Sequence, residues 1–177
     1  MSDILTEIDI QALDYICLNL RDVDKREIYN VLDHDNPIML AFQAHYVGVS
    51  KGRGRIAWWD GRPAVYIAFC EDRPGVWTIS MFGTDDFKSV AFECMRWARA
   101  TIPELINERN GRRLQCDSHV EHHEAHKFLT ALGAVKEGPP MKHYGKDGSD
   151  YQRYVWIAED NGIISLRGKA TEIKRAI

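Results

Sequence analysis

Charge of one sign is not in excess in this chain. Its 177 residues carry 23 lysines and arginines against 26 aspartates and glutamates. The basic residues are scattered rather than gathered into a stripe, so nothing is built to neutralise a phosphate backbone and no nucleic-acid partner is expected. No apolar run approaches the roughly 20 residues that cross a bilayer, so no membrane span is expected. The opening Met1-Ser-Asp-Ile-Leu-Thr-Glu7 has neither the basic region nor the apolar core of a secretory leader. Synthesis in a cytoplasm, with residence there or packaging from it, is the expectation. Paired cysteine motifs are absent as well. Cys17, Cys70, Cys94 and Cys116 are far apart and each sits in an apolar stretch, which fits buried thiols and neither a disulfide framework nor a zinc knuckle. Internal repeats and low-complexity tracts are also missing.

What is present alternates in period. Ile4–Ile10 reads as a first strand, and Leu13, Ile16, Cys17 and Leu20 follow at helical spacing. Asp22 suits the cap of a second short helix with Ile28, Val31 and Leu32 on one side. Pro37 suits the first turn of a third, running through Met39, Leu40 and Phe42. Residues 48–54, glycine at both ends and with Lys51 and Arg53 between, read as a flexible basic loop. The period then falls to two. Residues 55–59 and 62–69 form a hairpin about Asp60-Gly61, and 76–82 form a third strand. Phe87, Val90, Ala91, Cys94, Trp97 and Ala98 mark a long helix that Pro103 is expected to break. A strand at 113–117 leads into a short helix, and 141–144 with 151–157 read as a closing hairpin. This order predicts an α/β domain over 1–158, with a mixed sheet and helices on both faces, followed by a C-terminal extension over 159–177.

His119, His122, His123 and His126 crowd the short-helix segment. His122 and His126 are one helical turn apart, the spacing at which two imidazoles share a cation. The order is not that of a zinc protease helix, since Glu124 follows His123 and Lys127 stands where the second histidine belongs. An exposed helix edge is the preferred reading, and no metal is expected. Apolar Ala125, Phe128, Leu129 and Leu132 between the histidines form a buried stripe that ends at Gly133.

That stripe, Ala125-x-x-Phe-Leu-x-x-Leu-Gly-Ala-Val135, together with the element order, resembles the GCN5-related N-acetyltransferase (GNAT) superfamily. A closer resemblance is to GNAT-like internal virion proteins of short-tailed bacteriophages. It rests on Leu20-Arg-x-x-Asp-x-Arg-Glu-Ile28, Asp60-Gly-Arg-Pro63, Trp77-x-x-x-x-Phe-Gly-Thr84 and Phe128-Leu-x-x-Leu-Gly133. The resemblance implies a GNAT-like, mostly antiparallel sheet and, in active members, an acetyl-CoA pyrophosphate held by a glycine-rich loop before the long helix. Here that loop reads Met81-Phe-Gly-Thr-Asp-Asp-Phe-Lys-Ser89. Phe82, Gly83, Thr84 and Lys88 remain as cofactor-binding candidates, while Asp85 and Asp86 would cap the helix and repel a phosphate. The tyrosine that family members place on the short helix is Leu129 here, and His122 takes the position of their asparagine. Tyr144, Tyr151 or Tyr154 as acid, and Glu71 or Asp72 as base, are substitutes on this reading. The resemblance therefore implies a phage virion assembly or internal, ejection-related component with a degenerate acetyl-CoA site and no cofactor. It would be present in the host cytoplasm and then the virion, and would contact other virion proteins through 159–177. The alternative is an active N-acetyltransferase that uses acetyl-CoA through a non-standard loop.

Overall fold

The computed structural model describes residues 4–50 and 52–158; the expected extension 159–177, like Lys51, lies outside the described residues. The run Ala64-Val-Tyr-Ile-Ala-Phe-Cys70, within β3 (Arg62–Arg73), is buried throughout. A strand buried on both faces needs a helical layer on each. Because strand side chains alternate, Val65, Ile67 and Phe69 enter one core with α4 (Phe87–Glu108) and α5 (His123–Ala131), while Tyr66 and Ala68 enter another with α1 (Ile10–Leu18) and α3 (Pro37–Ser50). The remaining helix, α2 (Asp22–Tyr29), is short.

Around β3 the sheet has seven strands in the order β1-β2-β3-β4-β5-β7-β6. The others are β1 (Leu5–Thr6), β2 (Gly52–Trp59), β4 (Val76–Gly83), β5 (Arg113–His119), β6 (Val135–Lys136) and β7 (Tyr151–Ile157). All neighbours are antiparallel except β4 and β5, so the expected α/β class with a mostly antiparallel mixed sheet is what forms. Asp60 and Gly61, at φ 48° and 72°, make the hairpin turn, as two positive dihedrals require. Among the described residues no helix is long and apolar enough to cross a membrane.

Several elements differ from the expectation. The first strand shrinks to two residues because Asp9 leaves it to cap α1, accepting the Ala12 N–H at 2.9 Å. The supposed loop at 48–54 is mostly the end of α3 and the start of β2. Its glycines serve close approach rather than flexibility, since a Cβ on Gly48 or on Gly54 would lie 2.2 Å from the Ile8 side chain. Arg53 there pairs with Glu104. Pro103 does not break α4. It is exposed one turn after the exposed Arg99, so the carbonyl it leaves unbonded faces water, and buried Leu105 and Ile106 hold the helix onward. On α2 the fully buried side chain is Asp24; of the expected apolar side, Ile28 and Leu32 are half-buried against the α1/α3 core and Val31 is exposed. The closing hairpin is also redrawn: Met141 makes a single bridge to Tyr151, and the strand that pairs with the end of β7 is β6.

Tyr66 ties the sheet to α3, its buried hydroxyl donating to the Ala44 carbonyl at 2.9 Å. Tyr66→Phe should therefore lower unfolding free energy by about 1 kcal/mol, measured by urea denaturation, with no change of fold.

Candidate functional site

The parallel pair β4/β5 is joined over three residues only, Val76–Thr78 against Arg113–Gln115. Beyond that point β4 runs on to Gly83 and β5 to His119, and the two diverge. The split has a cavity on each face of the sheet: about 410 Å³ toward α1 and α3, where Leu40, Tyr66, Ser80, Tyr144 and Tyr151 line it, and about 50 Å³ toward α4 and α5, beside Phe87, Ala125 and Phe128. Asp24, Glu27, Ile79, Met81 and Cys116 border both. Gly83 turns its N–H and carbonyl away from β3 and into the split. By the two-residue period Met81 and Ile79 turn theirs the same way, where β5 no longer pairs with them.

Helix α2 spans the open end. Its carboxylates Asp24 and Glu27 stand one turn apart on the inward face. Asp24 accepts the Gly83 N–H at 2.8 Å, at the end of β4, and Glu27 accepts the His119 N–H at 3.1 Å, at the end of β5. Arg21 fixes Asp24 with two hydrogen bonds of 3.0 and 2.8 Å, donates its own N–H to the Gly83 carbonyl at 3.0 Å, and lays its guanidinium 4.0 Å from the Phe87 ring centre. The Tyr151 hydroxyl donates to the Glu27 carbonyl at 2.8 Å. Burial pushes the Asp24 carboxyl above its ordinary range, against the pull of Arg21, Gly83 and His122.

The β4–α4 junction, where an anion would meet a helix N-terminus, is already committed. Gly83 N–H is held by Asp24. The N–H groups of Thr84, Asp86 and Phe87 donate to the Ala64 carbonyl (2.8 Å), the Thr84 hydroxyl (3.3 Å) and the Thr84 carbonyl (3.0 Å). Asp86 occupies the cap position but makes no side-chain cap bond; it faces Arg62 at 3.4 Å instead. Lys88 pairs with Glu124 at 3.2 Å. Phe82 points to the other side of the sheet, packing on Tyr66 in the α1/α3 core.

Only two of the four histidines share a helix edge, His123 and His126 on α5, with ring centres 6.0 Å apart. His122 precedes α5 and is nearly buried, its Nδ1 against Glu27 and its Nε2 4.0 Å from Asp24. His126 turns elsewhere, its Nε2 on the His119 carbonyl at 3.0 Å. His119 is buried, and only His123 is fully exposed. Among the described residues no group of three or more His, Cys, Asp or Glu side chains is arranged to hold a metal ion. Burial opposes charge on His122, but the hydrogen bond and charge of Glu27, with Asp24 behind it, outweigh burial and raise its pKa above the ordinary 6.5. Burial is also the chief cause lowering that of His126.

The acid and base candidates separate. Glu71 accepts the Gly75 N–H at 2.8 Å in the β3–β4 turn, and Asp72 accepts the Thr78 hydroxyl at 2.5 Å; both lie at the paired end of the split, away from the Gly83 mouth. Tyr144 and Tyr151 do meet in the larger cavity, ring centres 5.3 Å apart. Tyr144 donates to Asp117 at 3.2 Å, and Asp117 is itself gripped by Arg153 at 2.7 Å. Burial raises the Tyr151 hydroxyl to about 12. Tyr154 packs in the opposite core, against His126. Residues not singled out as site candidates from the sequence are Arg21, Asp24, Glu27 and Ser118, the last buried in the smaller cavity with no hydrogen-bond partner for its hydroxyl. For the first three a signal existed, two acids at i, i+3 with an arginine one turn before, inside the segment 20–28.

No family model matches the sequence, and no curated protein is similar to it in sequence. Solved structures are similar in fold. The ribosomal L7/L12 alpha-N-protein acetyltransferase RimL, in complex with coenzyme A, superposes with a TM-score of 0.66 at 15% identity, over 88% of this chain and 95% of that one. A GNAT-family acetyltransferase from Bacillus anthracis gives 0.64 at 14%, over 89% and 96%. The ribosomal-protein-S5-alanine acetyltransferase from Vibrio fischeri gives 0.60 at 15%, over 88% and 93%. The chain thus has the fold of the GNAT acetyltransferases.

The His122–Glu27 contact carries a pH dependence. With the folded pKa raised, its stabilisation is full below about pH 6.5, the unfolded value, and is lost as the pH climbs through the folded value. Denaturant midpoints should fall over that rise in wild type, and Glu27→Gln should flatten that part of the profile.

Proposed function

We propose that this chain is a GNAT-fold protein whose acetyl-CoA phosphate site is closed, and that it serves a bacteriophage as a virion assembly or internal, ejection-related component. One observation carries the closure: the Gly83, Thr84, Asp86 and Phe87 amides, which would have to receive a pyrophosphate, all donate within the protein. Four acids, Asp24, Asp85, Asp86 and Glu124, stand about the same place, and its cations are already paired with them: Arg21 with Asp24, Lys88 with Glu124 and Arg62 with Asp86. Anion binding at a helix end needs free N–H groups and a favourable field; four of the amides at this junction are already taken, and Asp85 and Asp86 stand where the anion would lie. The residues present do not fit the cofactor's pyrophosphate. The virion role rests on the sequence resemblance of segments 20–28, 60–63, 77–84 and 128–133, and contact with other virion proteins is assigned to 159–177.

The second reading is an N-acetyltransferase with a non-standard cofactor loop. It is favoured by the split itself. The backbone of Ile79 and Met81 faces an opening that an extended amide-bearing ligand would pair with, and the adjoining 410 Å³ cavity is within the usual size for a small-molecule site.

Thermal melting separates the two. A ligand at about a hundred times its Kd adds roughly 2.7 kcal/mol of stability, which is several degrees for a domain of this size. With millimolar acetyl-CoA the melting temperature should stay where it is, and the protein should be found by mass spectrometry in purified phage particles. A rise of several degrees would overturn the closed-site reading. Absence from the particles would overturn the virion role.

A further inference from the structure

Helix α3 is apolar on both sides. Its inner face packs Leu40, Ala41, Ala44 and Gly48 on the sheet and α1. Its outer face exposes Met39 (47%), Phe42 (63%), Tyr46 (55%) and Val49 (55%). Between Pro37 and Ser50 there is no Asp, Glu, Lys or Arg. The outer side of α2, by contrast, carries Asp22, Lys25 and Arg26, and the outer side of α4 carries Lys88, Arg96 and Arg99 with a single exposed phenylalanine, Phe92. Gln43, His45 and Ser50 are its polar residues; a helix apolar on two opposite faces is more apolar than a surface position needs, so the outer face of α3 calls for a cover.

The spacing of the exposed residues, three, four and three, is that of the a and d positions of paired helices. We propose that α3 is the interface of a homodimer, two copies lying antiparallel with the two-fold axis near Ala44. Such a pairing sets Phe42 of each copy opposite Tyr46 of the other and Met39 opposite Val49, aromatic on aromatic and aliphatic on aliphatic. In an isologous interface every residue near the axis faces its own surroundings, so a charge there would meet its like; α3 has no Asp, Glu, Lys or Arg, and its one histidine, His45, is half-buried. A nucleic acid or a charged peptide would find nothing to pair with. A half-exposed large side chain leaves on the order of 100 Å² uncovered. With Ile38 beside the stripe, five of them give roughly 500 Å² per copy and about 1,000 Å² in the pair, the lower limit of a specific interface. The dimer is therefore at the small, transient end of specific interfaces.

Sedimentation velocity on the full chain, from about 1 to 200 µM, tests this. The expected result is a mass that climbs from 20.3 kDa toward twice that value. Phe42→Glu should weaken association at least tenfold with the melting curve kept, whereas Phe92→Glu, at the 73%-exposed phenylalanine of α4, should leave it unchanged. If Phe42→Glu fails to fold, Val49→Lys at the end of the stripe gives the same reading. A chain monomeric throughout the range would overturn the proposal, and so would a dimer that resists these α3 substitutions or yields equally to Phe92→Glu.

Discussion

Two carboxylates one helical turn apart hold this molecule's split sheet at its working width. Asp24 takes the last amide of β4 and Glu27 the last amide of β5, so a single turn of α2 sets how far the strands diverge. Each acid is backed by a nitrogen base, Asp24 by the Arg21 guanidinium and Glu27 by the His122 imidazole. Charge-assisted bonds to backbone amides are the stronger kind, and an unpaired buried carboxylate is costly. That cost is why the residues of α2 cannot be considered one by one: Arg21, Asp24, Glu27 and His122 form one connected unit, and Tyr151 braces it through the Glu27 carbonyl.

The same unit shapes what the split can receive. The side toward α4 and α5 is narrowed to about 50 Å³, with four amides at the helix N-terminus given internal acceptors, while the side toward α1 and α3 keeps about 410 Å³. A fold shared with acetyltransferases thus carries an electrostatic arrangement of its own at the place where the field of a helix end ordinarily favours an anion. Fold and activity are separate properties, and the second depends on these few side chains.

Most of the architecture was legible because it depends on short-range rules. The period-two run at 62–69, the Asp60-Gly61 turn and the helical stripe from Phe87 to Ala98 each state their local structure without help from the rest of the chain. Failures came where a distant residue decided. Gly48 and Gly54 read as a loop until Ile8 is seen to lie between them. Pro103 read as a break because the exposure of Arg99 and the burial of Leu105 are tertiary facts. His122 read as an exposed edge because its partner, Glu27, is 95 residues away.

By its own pattern the sequence determined the layers, since periodicity and turn chemistry act between neighbours along the chain and need no third element. It also determined the acidic character of the β4–α4 junction, which is written in Asp85 and Asp86. Only the tertiary structure decided which amides there were still free, because Thr84 finds Ala64 and Gly83 finds Asp24 across the sheet. Only it decided that His122 meets Glu27 while His126 meets the His119 carbonyl, and that the outer face of α3 is exposed. Hydrogen bonds and burial are properties of distances between remote segments, and no spacing along the chain contains them.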